Sequence, residues 1–178
     1  MKIKKVLHGC MVGAVCLFLG CAGESATKSS TLLEIQGKVI DGYIANAIIC
    51  ADLNHNELCE DGEPTVRSDS QGNYRINAQV DTQKTYTLLA FSGVDTATKD
   101  KFAGILKREI EDTSLTDAHI TPITTLVAYL YRQSDLAREV ASTQNLKGAY
   151  AMVSTGLGLN VAQLKSNPMQ DVAVYNIT

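Results

Sequence analysis

The chain has 178 residues, of which 45% are hydrophobic and 20% charged, and it contains no tryptophan. These fractions exclude a fully disordered protein and suit one globular domain or two small ones. Three of the 16 basic residues but none of the 19 acidic residues lie in the first twenty positions. The rest of the chain therefore carries a net charge of −6, which argues against nucleic acid as a partner and suits cations.

Residues 1–20 have the pattern of a signal peptide. Lysines between Met1 and Lys5 precede an apolar run, Val12 to Leu19, that stops at Gly20 and Cys21. This run is too short to span a bilayer, which needs about 20 apolar residues. A basic start, a short apolar segment and a small residue together predict export from the cytoplasm.

The junction Leu17-Phe18-Leu19-Gly20-Cys21 resembles the lipobox of bacterial lipoproteins, in which a small residue precedes the cysteine that receives the acyl chains. The resemblance implies that Cys21 is lipidated and that the membrane is a partner through this anchor. Phe18, three residues before the cysteine, stands where the lipobox usually has leucine. Ala22, in place of aspartate, favours the outer membrane by the same resemblance. The alternative is an ordinary secretory peptide that is cleaved nearby.

Residues 21–33 are predicted to be a polar tether, because small and polar side chains dominate between Ala22 and Thr31. Residues 34–115 then show short apolar segments separated by Gly, Asn and Asp, which is typical of strands and turns. The candidate strands are Ile35 to Ile40, Ala47 to Ala51, Asn73 to Ala78 and Tyr86 to Phe91. Gly72 is expected to supply the positive φ of the turn that precedes the candidate strand Asn73 to Ala78.

The segment from Asp52 to Glu63 has the ligand spacing of a twelve-residue calcium loop. Its candidate ligands, at alternate positions and at the last one, are Asp52, Asn54, Asn56, the Leu58 carbonyl, Glu60 and Glu63. Calcium prefers six to eight oxygens, which such a loop can turn inward. Glu57 occupies the sixth position, where the EF-hand pattern has glycine, and no amphipathic helix flanks the loop. The alternative is an acidic surface hairpin that binds no metal.

Cys50 and Cys59 are the only cysteines after the predicted signal and anchor. Two thiols in an oxidising compartment predict a single disulfide, and two free thiols are the alternative.

Residues 116–178 are predicted to be a helical region. Thr121 and Pro122 form an N-cap and first-turn pair, after which apolar residues recur at helical spacing. A second helix is expected to bury one apolar face, which comprises Leu146, Ala149, Tyr150, Val153 and Leu157. Gly156 and Gly158 are expected to end it, and Asn160 to cap a further turn.

Three segments together resemble the β-sandwich modules of bacterial surface proteins. They are Gly37 to Ala47, Cys50 to Pro64 with its D-x-N-x-N loop, and Asp69 to Tyr74. The modules are similar to carboxypeptidase regulatory-like and Cna protein B-type domains. The resemblance covers roughly residues 35 to 92 and implies an α+β chain in which a prealbumin-like β-sandwich precedes a small helical region. It is barely specific for activity.

The sequence favours a noncatalytic lipoprotein of the cell envelope, because no histidine stands in a motif with a nucleophile or carboxylate partner. The expected role is adhesion or surface attachment, with calcium as a structural cofactor. The alternatives are a carbohydrate or small-ligand binding module and a periplasmic assembly partner for a larger envelope complex. Their partners would be a glycan or an envelope protein.

Overall fold

The computed structural model describes residues 30–81, 85–133 and 143–177. The described strands are β1 (Thr31–Lys38), β2 (Ile44–Ala45), β3 (Ile48–Asp52), β4 (Thr65–Arg67), β5 (Asn73–Val80), β6 (Tyr86–Phe91), β7 (Val94–Asp95), β8 (Ile105–Ile110) and β9 (Ser114–Leu115). The described helices are α1 (Pro122–Gln133), α2 (Thr143–Leu157), α3 (Val161–Lys165) and α4 (Val172–Tyr175), with a 3-10 turn at Pro168–Gln170. The predicted α+β class, with a β-sandwich followed by helices, is confirmed.

Two sheets form the sandwich. The first has the order β5-β1-β9, with β1 antiparallel to β5 and parallel to β9. The second is antiparallel throughout and has the order β4-β3-β6-β8. A short ribbon of β2 and β7 lies beside them.

Alternation along the strands explains how the two sheets pack. In β1, Leu33 and Ile35 are buried whereas Leu32 and Glu34 are exposed, so one face points inward. Tyr74 and Ile76 repeat this pattern in the neighbouring strand β5. These side chains join Ile49 of β3, together with residues of β6 and β8, in one hydrophobic core.

The helices bury a second core. Ile123, Val127 and Tyr131 of α1 contact the buried face of α2, which includes Leu146 and Tyr150. The predicted packing face is confirmed at Leu146, Ala149, Tyr150 and Val153, and Leu157 packs against the same cluster. Gly158 follows α2 with φ +67°, and Asn160 caps α3 through a capping box.

Helix α1 is fastened to β8, an edge strand among the described residues. The Thr121 hydroxyl accepts from the Thr124 amide, which is the predicted N-cap. The next two threonines reach the strand: the Thr124 hydroxyl donates to the Lys107 carbonyl, and the Thr125 hydroxyl accepts from the Lys107 amide at 2.8 Å. The α1 threonines therefore satisfy edge groups that an unpaired strand would expose.

The observed elements differ from the predicted boundaries at two places. Strand β1 begins at Thr31, so Thr31 to Leu33 pair with β5 and do not belong to the predicted tether. At the other end, Ala118 and Ile120 belong to the sandwich core, although residue 116 was the predicted start of the helical region. In both cases pairing with a distant strand extends the sandwich beyond what the local composition indicates.

Candidate functional site

The predicted calcium loop leaves the sandwich at the end of β3. Asp52, the last residue of that strand, is fully buried. A disulfide joins Cys50 in β3 to Cys59 in the loop, with the two Cα atoms 6.0 Å apart. This confirms the predicted disulfide, which ties the middle of the loop to the strand that begins it.

The loop's carboxylate and amide oxygens turn toward its own amides. Asp52 accepts from the amides of Asn56 and Glu57, at 3.2 and 2.8 Å. The Asn54 side-chain oxygen accepts from the Asn56 amide at 2.9 Å. At the other end, Glu63 accepts from the Leu53 amide at 2.9 Å and from the Glu60 amide at 3.1 Å. The two ends of the loop are therefore bridged by Glu63.

Two further contacts involve predicted ligands. The Asn56 side-chain oxygen accepts from the amide of Leu58 at 2.9 Å, and the Asn54 side-chain amide donates to Glu60 at 2.8 Å. Five of the six predicted ligands thus contribute side chains to one hydrogen-bonded loop. The Leu58 side chain is largely exposed, and its predicted ligand atom is the backbone carbonyl.

The donor chemistry of the loop fits a hard cation only in part. Carboxylate and amide oxygens are the ligands that calcium prefers, and an oxygen that accepts one N–H bond retains a second lone pair. However, in residues 30–81, 85–133 and 143–177, no three His, Cys, Asp or Glu side chains are grouped so that they could hold a metal ion. Asp52, Glu60 and Glu63 are therefore not brought together as a three-carboxylate site, and the calcium set stays a prediction.

Left-handed backbone shapes the loop. Glu57, at the position where an EF-hand has glycine, has φ +64°, and His55 has φ +63°. A non-glycine residue in this region costs roughly 1–2 kcal/mol. The Glu57 carboxylate forms a 2.7 Å ion pair with Lys107 of β8, which adds little stability because half of the Glu57 side chain is exposed.

A polar network that was not predicted links the loop to α1. Arg132, in the last turn of α1, donates to Nδ1 of His55 at 2.5 Å and to the Thr87 hydroxyl at 2.9 Å. The Nε2 atom of His55 lies 2.6 Å from the Thr85 carbonyl. A carbonyl only accepts and a guanidinium only donates, so this geometry assigns a neutral His55 with its proton on Nε2. The imidazole thus bridges α1 and the residue that precedes β6.

Glu109 of β8 also belongs to this network, because it contacts both Arg132 and Thr87. Its Oε1 atom accepts from Arg132 at 3.2 Å and from the Thr87 hydroxyl at 2.9 Å, whereas Oε2 is buried without a partner. Burial raises the pKa of Glu109 above its ordinary value of 4.5. The charge of Arg132 and the hydrogen bonds oppose this effect without cancelling it. Only the fold brings Glu109, Arg132 and His55 together, so their sequence positions give no signal of the network.

Cys21, the predicted lipidation site, lies outside the described residues, as do the signal peptide and most of the tether. Within the part that is described, no helix combines the length and apolar content needed to cross a bilayer. Comparison with known proteins finds no family model, no curated protein and no solved structure that matches the chain.

Proposed function

We propose that the chain is a noncatalytic, lipid-anchored protein of the cell envelope, whose β-sandwich and helical region form an attachment scaffold for adhesion. The observation that carries the proposal is that the polar side chains of the Asp52–Glu63 loop form hydrogen bonds within the fold. Asp52 and Glu63 accept amide hydrogens of the loop itself, and His55 bridges Thr85 and Arg132. Groups that could serve acid–base chemistry are used to hold the loop against the sandwich and α1.

The lipid anchor at Cys21 is tested by exchanging cysteines of the N-terminal segment. In a bacterium that processes lipoproteins, Cys21→Ser should abolish acyl labelling, leave the signal uncleaved and move the protein out of the detergent phase. Cys16→Ser is the matched control, because it removes a thiol from the predicted signal peptide and leaves the lipobox intact. Normal processing and membrane partition of Cys21→Ser would contradict the anchor.

Calcium is the proposed structural cofactor of the loop. Asp52, Asn54, Asn56, the Leu58 carbonyl, Glu60 and Glu63 would hold it, and the ion would offset the mutual repulsion of the loop's carboxylates. The non-glycine residue at Glu57 places the expected dissociation constant near 10⁻⁴ to 10⁻³ M, roughly the range of extracellular modules. Calcium at ten times that constant would add about 1.4 kcal/mol to the free energy of unfolding.

The calcium proposal is tested by a thermal melt of the full chain, in detergent, with chelator and then with several millimolar calcium. The melting temperature should rise by a few degrees in calcium. An Asp52→Asn, Glu63→Gln double variant should lose this rise, and an Asp69→Asn, Glu34→Gln variant, which removes two carboxylates outside the loop, should keep it. If wild type and the loop variant respond identically, the segment is an acidic hairpin that binds no calcium.

The scaffold role is tested by crosslinking in intact cells. A scaffold should crosslink reproducibly to envelope proteins when Cys21 is present, and the Cys21→Ser variant should lose those products because it is not held at the same membrane. Retention on a glycan matrix without any protein crosslink would instead favour the carbohydrate-binding alternative.

A further inference from the structure

A second polar site lies between the sandwich and the helical region. It is a cavity of about 510 Å³ that is lined on the sandwich side by Arg108, Asp117 and His119. Lys165 of α3 and Asn167 line the helical side. The predicted calcium loop contributes no residue to this lining, so the cavity is separate from the site described above.

Arg108 is unusual among the lining residues because it is charged and buried. It lies in β8 and is only 5% exposed. Its Nη1 atom donates to the carbonyls of Asp117 and His119, at 3.2 and 2.8 Å. Its Nε atom is buried without a hydrogen-bond partner. No carboxylate of the described residues forms an ion pair with Arg108, so two backbone dipoles are its polar partners.

A buried guanidinium is ordinarily paired with an acid, because burial of an uncompensated charge is costly. The guanidinium of Arg108 therefore lacks a compensating anion among the described residues, and arginine matches the planar geometry of carboxylates and phosphates. His119, which lines the same cavity, also has a buried ring atom, Nδ1, without a partner. Arg108 and His119, which both line the cavity, therefore each have one buried polar atom without a hydrogen-bond partner.

The charges around the cavity favour an anion. Lys165 contributes a second positive charge, although it is also paired with Glu111 at 3.2 Å and lies over the Tyr150 ring. Burial and the positive charges of Arg108 and Lys38 lower the pKa of His119 below its usual value of 6.5, whereas Asp117 opposes this shift. Among the described residues, Asp117 is the only acidic one that lines the cavity, and its carboxylate accepts from the Thr116 hydroxyl. The described lining thus holds two basic residues and one acidic residue.

We propose that this cavity binds a small hydroxylated anion, whose carboxylate or phosphate group is held by Arg108 and Lys165. The hydroxyl groups of such a ligand would meet Asp117, Ser166 and Gln170, which line the cavity beside the two cations. A sugar acid or a sugar phosphate has this combination of groups. The site goes beyond the proposed scaffold function and requires neither calcium nor the lipid anchor.

Binding is tested by titrating the full chain, purified in detergent, with glucuronate, inorganic phosphate and neutral glucose by isothermal calorimetry. Glucuronate or phosphate should bind, and glucose should bind at least tenfold more weakly. If glucuronate binds, the carboxylate class is assigned. If only phosphate binds, the anionic group is a phosphate. An absence of binding to both anions at 10 mM, or equal binding of glucose, would overturn the proposal.

Variants locate the binding site. Arg108→Gln should weaken binding at least tenfold, and Arg75→Gln is its control, because it removes the same charge from an exposed position on β5. Since Arg108 is buried and its variant can fail to fold, Ala162→Phe provides a second test. Ala162 is exposed and lines the cavity, so phenylalanine should obstruct it, whereas Val161→Phe should not. Equal affinity in wild type and Ala162→Phe would overturn the assignment.

Discussion

Gly37 lies in β1 at a point where only hydrogen fits. A Cβ atom added there would collide with the carbonyl group of Ala118, which is backbone and cannot rotate away. The same stretch carries the bond from the Ala118 amide to the Gln36 carbonyl. The close approach of these two segments holds the connection between β9 and α1 against the first sheet.

We therefore predict that Gly37→Ala lowers the free energy of unfolding by about 1–3 kcal/mol, the usual cost of overpacking. Gly148→Ala is the matched control. Gly148 lies within α2 and a Cβ there would meet nothing within 4 Å, so alanine should stabilise the protein by up to about 1 kcal/mol through its higher helix propensity. Urea unfolding measures both changes. A neutral Gly37→Ala would show that the two segments can separate at no cost.

At the scale of elements, helix α1 supplies hydrogen-bond partners to backbone groups at the free edge of β8. The Lys107 amide and carbonyl both bond to threonine hydroxyls of α1, so the helix satisfies the two backbone groups of this residue at the sheet edge. We predict that Thr125→Val destabilises the protein by about 1–3 kcal/mol, because the Lys107 amide loses its acceptor in a partly buried place.

The control is Thr155→Val in α2. Its hydroxyl donates to the Ala151 carbonyl one turn earlier and is exposed, so the free energy of unfolding should change by less than about 0.5 kcal/mol. Hydrogen exchange gives a local measurement, since the Lys107 amide should lose protection only in Thr125→Val. Unchanged protection of that amide would mean that the threonine contact does not fasten the strand.

The spacing of apolar residues and the turn and cap residues predict several strands and helices correctly. Strand β6 has the predicted bounds, Tyr86–Phe91, and α1 begins at the predicted Pro122. The pattern fails at β8, where Lys107, Arg108 and Glu109 follow one another. Consecutive charges do not resemble a buried strand, yet two of the three are buried. Their partners are Thr87, Arg132 and the carbonyls after β9, which only the folded chain brings near.

At the scale of the whole molecule, the Asp52–Glu63 loop differs from the cavity around Arg108 and the network around Glu109 in how far the sequence indicates it. The Asp52–Glu63 loop is contiguous, so its spacing can be read from the sequence, and the predicted disulfide within it is observed. The cavity around Arg108 and the network around Glu109 combine strands with helices that lie far away in the chain. No local pattern indicates them, because neither site exists until the helices pack on the sandwich.

Glu109 should make the stability of the whole molecule depend on pH, since it joins β6, β8 and α1 in one network. Its pKa is raised from 4.5, first of all by burial, so the folded chain holds this proton more tightly than the unfolded chain. The resulting stabilisation is fully present below about pH 4.5 and is lost as the pH rises through the folded-state pKa.

We therefore predict that the free energy of unfolding of wild type, relative to Glu109→Gln, decreases as the pH is raised from about 4 to 7. The amide keeps an oxygen for Thr87 and Arg132 but cannot ionise. The decrease has this sign because the folded chain binds the Glu109 proton more tightly than the unfolded chain does. Urea unfolding at several pH values measures it, with Glu111→Gln as the control for net charge. A difference that increases with pH would mean that the Arg132 ion pair outweighs burial.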